Sequence, residues 1–352
     1  MRCRVMQVEK IEDLEIKPST FVKFTELGNI TELQYNTHKN HKCNIVRLDK
    51  DHLIVLGTAE VKEVVHYESR EDDKKSVARS LKKLRDLINC NVTNVDNVIW
   101  FTLTYKENMQ DPEKLYIDFK NFNKRFKYYE EQKGIDSHEY IICAEPQGRG
   151  AWHIHGLFIW QCKAPYIPHD DFWRLWSKKG YEYRNVDGIG YDFVNIKSLK
   201  DCDNVGAYLT AYLGDMSLEE YQLANPFSRW QGDVKTCNVR TKSGKVEKKI
   251  LKGARLKYYP AGFRMFRCSR GVKRPQSETI TFENAQKKVR TALLTFKKSV
   301  KITDTNGYNT RITTYYYNKA LFIKKRKRTI SIILFSLLLS REFKEKGDLH
   351  NE

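Results

Sequence analysis

The sequence predicts an α+β domain over about residues 95–215, where segments typical of strands alternate with segments typical of helices. One strand segment, VIWFTLTY at 98–105, alternates β-branched and aromatic residues, and two more flank the turn-forming residues PQGRGA. The helical segments each carry one apolar stripe. Because 40% of the 352 residues are hydrophobic, the chain has enough apolar side chains for a substantial core, and a disordered protein is excluded.

These patterns predict strands at 52–56, 61–66, 98–105, 139–144, 153–160 and near 191–196, and helices at 76–88, 113–129, 170–177 and 204–213. The first helix has Val77, Leu81 and Leu84 at helical spacing. For the second, Asp111 is the expected N-cap and Pro112 fits the first turn. The last ends at Gly214.

Charge and cysteine usage limit the class of protein. The chain has 63 Lys and Arg against 44 Asp and Glu, a net charge of +19, which indicates a polyanionic partner such as nucleic acid or an anionic membrane surface. Its eight cysteines include no CxxC pair, which excludes zinc-ribbon and thioredoxin-like spacings. Since the N-terminal residues also lack an apolar secretory segment, we expect free thiols in a reducing, cytoplasmic setting.

Two later segments allow more than one interpretation. Residues 235–273 mix Lys and Arg with aromatic residues, which suits either a basic groove with stacking platforms or a solvated strand pair. Residues 329–340 are apolar and follow a basic run, but they are shorter than the roughly 20 residues of a membrane-spanning helix. We favour a terminal element packed on the core, and we expect a soluble chain with no membrane partner.

His153 and His155 are the candidate metal ligands. Residues two apart on a strand point to the same side, so both imidazoles share one face of the predicted sheet. Glu145 ends the preceding strand, and a hairpin at PQGRGA would place its carboxylate beside the two rings. This mixed nitrogen and oxygen set with open positions suits Mn²⁺ or Mg²⁺ bound to a phosphate.

Tyr208 and Tyr212 are the candidate nucleophiles. Their spacing of four residues places both phenols on one face of the predicted helix. A phenol attacks a phosphodiester when a nearby metal polarises the phosphate. By themselves, an HxH pair is more often a pair of exposed or hydrogen-bonded histidines, and a tyrosine pair is more often a packing stripe.

Taken together, these segments resemble the HUH endonucleases, and among them the two-tyrosine rolling-circle replication initiators of plasmids, integrative elements and phages. The similar segments are FTLTY (101–105), CAEPQGRGAWHIHGLF (143–158) and NVGAYLTAYLGD (204–215), within about residues 75–270. The resemblance implies a central antiparallel sheet of ferredoxin- or RRM-like topology with flanking helices. It also implies metal ligation by His153, His155 and Glu145, and nucleophilic attack by Tyr208 and Tyr212. The lysine that this family often has three residues after a tyrosine is replaced here by Ala211 and Asp215.

The resemblance implies single-stranded origin DNA as the substrate, cut to leave a 5′-phosphotyrosine and a 3′-OH that primes a host polymerase. No GxxxxGK[ST] motif occurs, so a host helicase is an expected partner. The expected regions are 1–75 of unknown role, the endonuclease core at 76–215, a basic extension at 216–320 and a tail at 321–352. Expected DNA-binding residues are Arg149, Lys257, Tyr258, Arg264, Arg267 and Arg270. A relaxase or transposase of the same chemistry, and a non-catalytic DNA-binding protein, are the alternatives.

Overall fold

A computed structural model of the chain describes residues 6–12, 14–38, 45–70, 73–105, 108–147, 150–177, 194–199, 205–206, 236–240, 246–250, 258–304, 309–323 and 325–326. The chain forms two compact units. The first combines Met1–Lys39 with Gln276–Glu352, and the second is Asn40–Pro275. The functional regions expected from the sequence, with limits at 75, 215 and 320, stay predictions.

The strands, numbered along the chain, are β1 (Met6–Lys10), β2 (Phe21–Leu27), β3 (Ile30–Asn36), β4 (Ile45–Arg47), β5 (His52–Val55), β6 (Glu60–Glu63), β7 (Val98–Leu103), β8 (Glu139–Pro146), β9 (Trp152–Ile159), β10 (Val194–Ser198), β11 (Thr236–Arg240), β12 (Val246–Ile250), β13 (Phe266–Cys268), β14 (Gln276–Thr281), β15 (Leu293–Asp304) and β16 (Asn309–Asn318). The helices are α1 (Lys74–Asn91), α2 (Pro112–Gln132), α3 (His169–Trp176) and α4 (Phe282–Val289).

The first unit contains an antiparallel sheet built from both ends of the chain. Its strand order within the described residues is β1-β15-β16-β3-β2-β14. Helix α4 follows β14 and contributes Ala285 and Val289 to a core with Val22, Phe24 and Leu33. The apolar residues of β2 and β3 are therefore buried by a helix that lies some 250 positions later in the sequence.

The second unit contains the central sheet, in the order β10-β7-β9-β8-β13 with every neighbouring pair antiparallel. Along the chain, β7, α2, β8, β9, α3 and β10 form a β-α-β-β-α-β unit, and its strands lie in the order fourth, first, third, second, which is the ferredoxin-like arrangement. The predicted α+β fold, a central antiparallel sheet with flanking helices, is thus confirmed.

The two faces of this sheet are covered by different helices. Phe101, Ile154 and Phe158 point to the face covered by α2 and α3, where aromatic residues dominate the core. Trp100 and Leu157 point to the other face, with the α1 side chains Leu84, Leu87 and Ile88. This division follows from the alternation of side chains along a strand.

The predicted elements are found with small shifts at their ends. Asp111 is the N-cap of α2, and its carboxylate accepts hydrogen bonds from the backbone N–H groups of Glu113 and Lys114 at 2.8 and 3.1 Å. The strand expected at 61–66 already ends at Glu63. Of the predicted helix at 204–213, Val205 and Gly206 are helical, and the other positions lie outside the described residues.

Two smaller sheets complete the second unit as described, β4-β5-β6 and β11-β12. The second of these is a strand pair inside the basic segment 235–273, where the sequence allowed either a strand pair or a basic groove. The apolar segment 329–340 lies outside the described residues. Within the part of the chain that the structure describes, no helix combines the length and the apolar character needed to cross a membrane.

Candidate functional site

The hairpin of β8 and β9 brings Glu145 and the two histidines together. Glu145 lies directly opposite His153 in the ladder, and His155 lies opposite Cys143. At the turn, the N–H of Gln147 donates to the carbonyl of Ala151 at 2.7 Å. Gly150 has a φ of +85°, which a glycine adopts without steric cost. The sequence predicted this hairpin from PQGRGA, and the structure confirms it.

Three ligand atoms of these side chains converge on one point. The Nε2 atoms of His153 and His155 are 3.0 Å apart, and Glu145 Oε2 lies 3.2 Å from His155 Nε2 and 4.0 Å from His153 Nε2. The Glu145 and His153 side chains are buried, whereas that of His155 is 20% exposed. Within the described ranges, these three residues are the group of His, Cys, Asp and Glu side chains close enough to hold a metal ion.

The spacing of these atoms fits a shared divalent cation. Adjacent ligands of an octahedral ion, each about 2.1 Å from the metal, lie about 3 Å apart, and opposite ligands lie about 4.2 Å apart. Two of the measured separations match the first value and the third approaches the second. Two imidazoles and one carboxylate suit several divalent ions. A metal centre is therefore consistent with the geometry, and Mg²⁺ or Mn²⁺ stays a prediction.

Two residues of β7 contact His155, and sequence reasoning did not single them out for this role. Thr102 pairs with His155 in the β7–β9 ladder, and its Oγ1 lies 3.0 Å from His155 Nδ1. The Trp100 ring meets the His155 ring edge-on, with 5.8 Å between centroids. Alternation along VIWFTLTY did predict that Trp100 and Thr102 share a face, but it did not indicate which strand would be their neighbour.

The segment that contains the candidate nucleophiles begins on the same face of the sheet as the triad. Tyr208 and Tyr212 lie outside the described residues. Val205, three positions before Tyr208, is buried with the α1 residues on this face. Gly206 approaches α1 so closely that an added Cβ would lie 2.3 Å from Asn89 Oδ1 and 2.9 Å from the Arg85 carbonyl oxygen.

Two nearby tyrosines are unsuited to nucleophilic attack. Tyr105, which ends the FTLTY segment, donates its hydroxyl to Asp118 at 3.1 Å, and Tyr116 donates to the carbonyl of Arg264 at 2.7 Å. Burial raises the pKa of both phenols, and for Tyr105 the Asp118 carboxylate raises the pKa further. Both side chains belong to the core on the α2 face, on the side of the sheet away from the triad.

The expected DNA-binding residues are not gathered at one place. Arg149 and Lys257 lie outside the described residues. The half-exposed Tyr258 lies beside the β8–β9 turn, since a Cβ on Gly150 would lie 3.9 Å from its ring. Arg267 is on the α2 face, where its guanidinium carbon is 3.5 Å from the centre of the Tyr116 ring.

Arg264 and Arg270, which flank β13, are exposed. Of the described candidates, Tyr258 is thus the one that the structure places by the hairpin turn that follows Glu145. The contribution of each of these residues to DNA binding stays a prediction.

Residues 98–217 match the family model described as replication-associated protein ORF2. This region starts at the first residue of β7, includes Glu145, His153 and His155, and ends beyond Tyr212. The match supports a role as a replication initiator, with DNA as the partner. A search of curated proteins and a search of solved structures found no match to the chain.

Proposed function

We propose that this chain is a rolling-circle replication initiator of the HUH type, which nicks and rejoins single-stranded origin DNA through Tyr208 and Tyr212. The observation that carries the proposal is the convergence of Glu145, His153 and His155 inside the region that matches the replication-associated family. A buried carboxylate between two imidazoles has a clear use as a cation site on a phosphate-processing surface.

Glu145, His153 and His155 would hold the divalent ion, Mg²⁺ or Mn²⁺. When bound, the ion supplies a Lewis acid that polarises a phosphate oxygen. The paired strands hold the three ligand atoms in place before DNA arrives, which is the preorganisation that catalysis requires. The partial exposure of His155 leaves one side of the group accessible to a DNA strand.

The position of Val205 supports the tyrosine assignment. Tyr208 follows Val205 by three residues, so even an extended chain would place its Cα within about 11 Å of that of Val205. Val205 is buried on the face that carries the triad. The two phenols therefore belong to a segment that enters the structure on this face, and helical spacing would keep them side by side.

The proposed reaction is a pair of transesterifications. A phenolic oxygen attacks the scissile phosphorus, the bond between phosphorus and the 3′-oxygen breaks, and that oxygen takes up the proton that the phenol gives up. The products are a 5′-phosphotyrosine and a 3′-OH that primes a host polymerase. Because the ester bond is retained in the phosphotyrosine, a 3′-OH can attack it in the reverse reaction without ATP. The second tyrosine would cut the regenerated origin.

The test is covalent capture of DNA by tyrosine variants. The full chain is incubated with Mn²⁺ and a 3′-labelled pool of random single strands, and denaturant-resistant adducts are resolved on a gel. We expect adducts with the unmodified chain and with Y166F, a matched control at an exposed tyrosine, and none with the double variant Y208F/Y212F.

An adduct with the double variant would show that the tyrosine assignment is wrong. If the unmodified chain binds the pool, as measured by fluorescence anisotropy, but forms no adduct, the non-catalytic DNA-binding alternative is favoured instead. Sequencing of the captured strands reports the sequence preference in the same experiment.

A further inference from the structure

We infer that Thr102 is a positioning residue, whose hydroxyl holds the imidazole of His155 in the tautomer that presents Nε2 to a cation. This inference deepens the proposed function and rests on its metal site, but not on the tyrosine assignment. It gives a chemical role to the FTLT segment, which by sequence alone is an ordinary central strand.

Strand pairing places the two side chains together. β7 lies between β10 and β9, and Thr102 is the direct neighbour of His155 across the ladder. Their Oγ1 and Nδ1 atoms are 3.0 Å apart, a normal hydrogen-bond distance. Trp100, two residues earlier on the same face, restricts the ring from another side through its edge-on contact at 5.8 Å.

The direction of the hydrogen bond decides what the ring can do. A neutral imidazole carries one N–H and one lone pair, and the bond made by one nitrogen sets the state of the other. Nε2 is the atom that faces His153 Nε2 at 3.0 Å and Glu145 Oε2 at 3.2 Å. If Thr102 accepts a bond from Nδ1–H, the Nε2 lone pair is directed at the point where the three ligand atoms converge.

The Thr102 hydroxyl matters because the opposite tautomer would block the site. With its proton on Nε2, His155 cannot be a ligand through that atom. Outer partners of metal-bound histidines typically change metal affinity by about 10–100-fold when they are removed. Valine has nearly the shape of threonine and a similar preference for strands, so T102V removes the hydroxyl and little else.

The experiment compares T102V and T102S in the full chain. Mn²⁺ alone is titrated into each protein, and the free ion is measured by electron paramagnetic resonance. We expect T102V to bind Mn²⁺ about 10–100-fold more weakly than the unmodified chain, whereas T102S, which keeps the hydroxyl, should bind like the unmodified chain.

A second, metal-free measurement separates positioning from a structural role. In ¹⁵N-histidine spectra, assigned with H155Q, we expect the Nδ1–H form of His155 in the unmodified chain and in T102S, and a shift towards Nε2–H in T102V. A general loss of packing in T102V would instead perturb the signals of buried His138.

Three results would overturn the inference. These are unchanged Mn²⁺ affinity in T102V, equal loss in T102S and T102V, or an Nε2–H tautomer in the unmodified chain. Absence of Mn²⁺ binding by the unmodified chain would overturn it together with the metal part of the proposed function. Adduct formation by Y208F/Y212F would leave it intact, so the failures of the two proposals are distinguishable.

Discussion

Gly156 lies opposite Phe101 in the β7–β9 ladder, and a Cβ at this position would lie 2.2 Å from Cζ of the Phe101 ring. Phe101 is fully buried and packs against Phe158 and Phe172, so its ring has little room to move. We expect G156A to destabilise the second unit by about 1–3 kcal/mol through overpacking.

The measurement for G156A is the thermal unfolding midpoint followed by tryptophan fluorescence. All six tryptophans lie in residues 40–275, so this signal reports the second unit. G57A is the matched control, because a Cβ at Gly57 would meet no atom within 4 Å. Equal midpoints for G156A and G57A would contradict the predicted clash.

Buried histidines differ in the partners that their ring nitrogens face. His138 Nδ1 lies 2.9 Å from the Glu130 carboxylate and Nε2 lies 2.8 Å from Asn123 Oδ1, so side chains of the protein satisfy both nitrogens. In His153 and His155, by contrast, the two Nε2 atoms face each other and Glu145. Ligand atoms that point at a common position distinguish a metal site from a structural histidine.

At the scale of elements, the close approach of Gly206 to α1 is the main constraint on the tyrosine segment. An alanine there would contact Asn89 Oδ1 and the Arg85 carbonyl, and the backbone carbonyl cannot swing aside. We expect G206A to displace this segment and to lower the rate of covalent adduct formation, because misplacement of a catalytic group by about 1 Å can cost on the order of 100-fold.

Mn²⁺ binding is the internal control for G206A, since the triad lies on β8 and β9 and should keep its affinity. The double variant G206A/N89A removes the Asn89 part of the clash and should regain part of the rate. A G206A variant that loses Mn²⁺ binding and adduct formation equally would indicate a general disruption of the fold instead.

At the scale of the whole molecule, positive charge should govern the affinity for DNA. A net charge of +19 and exposed arginines flanking β13 favour contacts with phosphates, which release counterions. We expect the affinity for single-stranded DNA to fall steeply with salt, and R270A to reduce the log–log slope by about 0.7 if Arg270 contacts one phosphate.

Fluorescence anisotropy over a salt series measures this slope. R311A is the matched control, because Arg311 is also exposed but belongs to β16 of the first unit. A salt-independent affinity would contradict the electrostatic contribution, and equal slopes for R270A and the unmodified chain would exclude a phosphate contact at Arg270.

The sequence by itself determined the features that depend on neighbours along the chain. Strand alternation and the PQGRGA turn placed His153, His155 and Glu145 in one group, because the register of a hairpin is set locally. Asp111 was identified as the N-cap of α2 for the same reason, since capping involves residues only two or three positions apart. The roles of Tyr208 and Tyr212 stay predictions.

Tertiary structure alone decided which distant segments meet. It set β7 beside β9, which brings Thr102 to His155 from 53 positions away, and it joined both ends of the chain in one sheet. It also brought Gly206 against α1. Such contacts result from the packing of whole sheets and helices, and periodicity within one strand or helix carries no information about its partner.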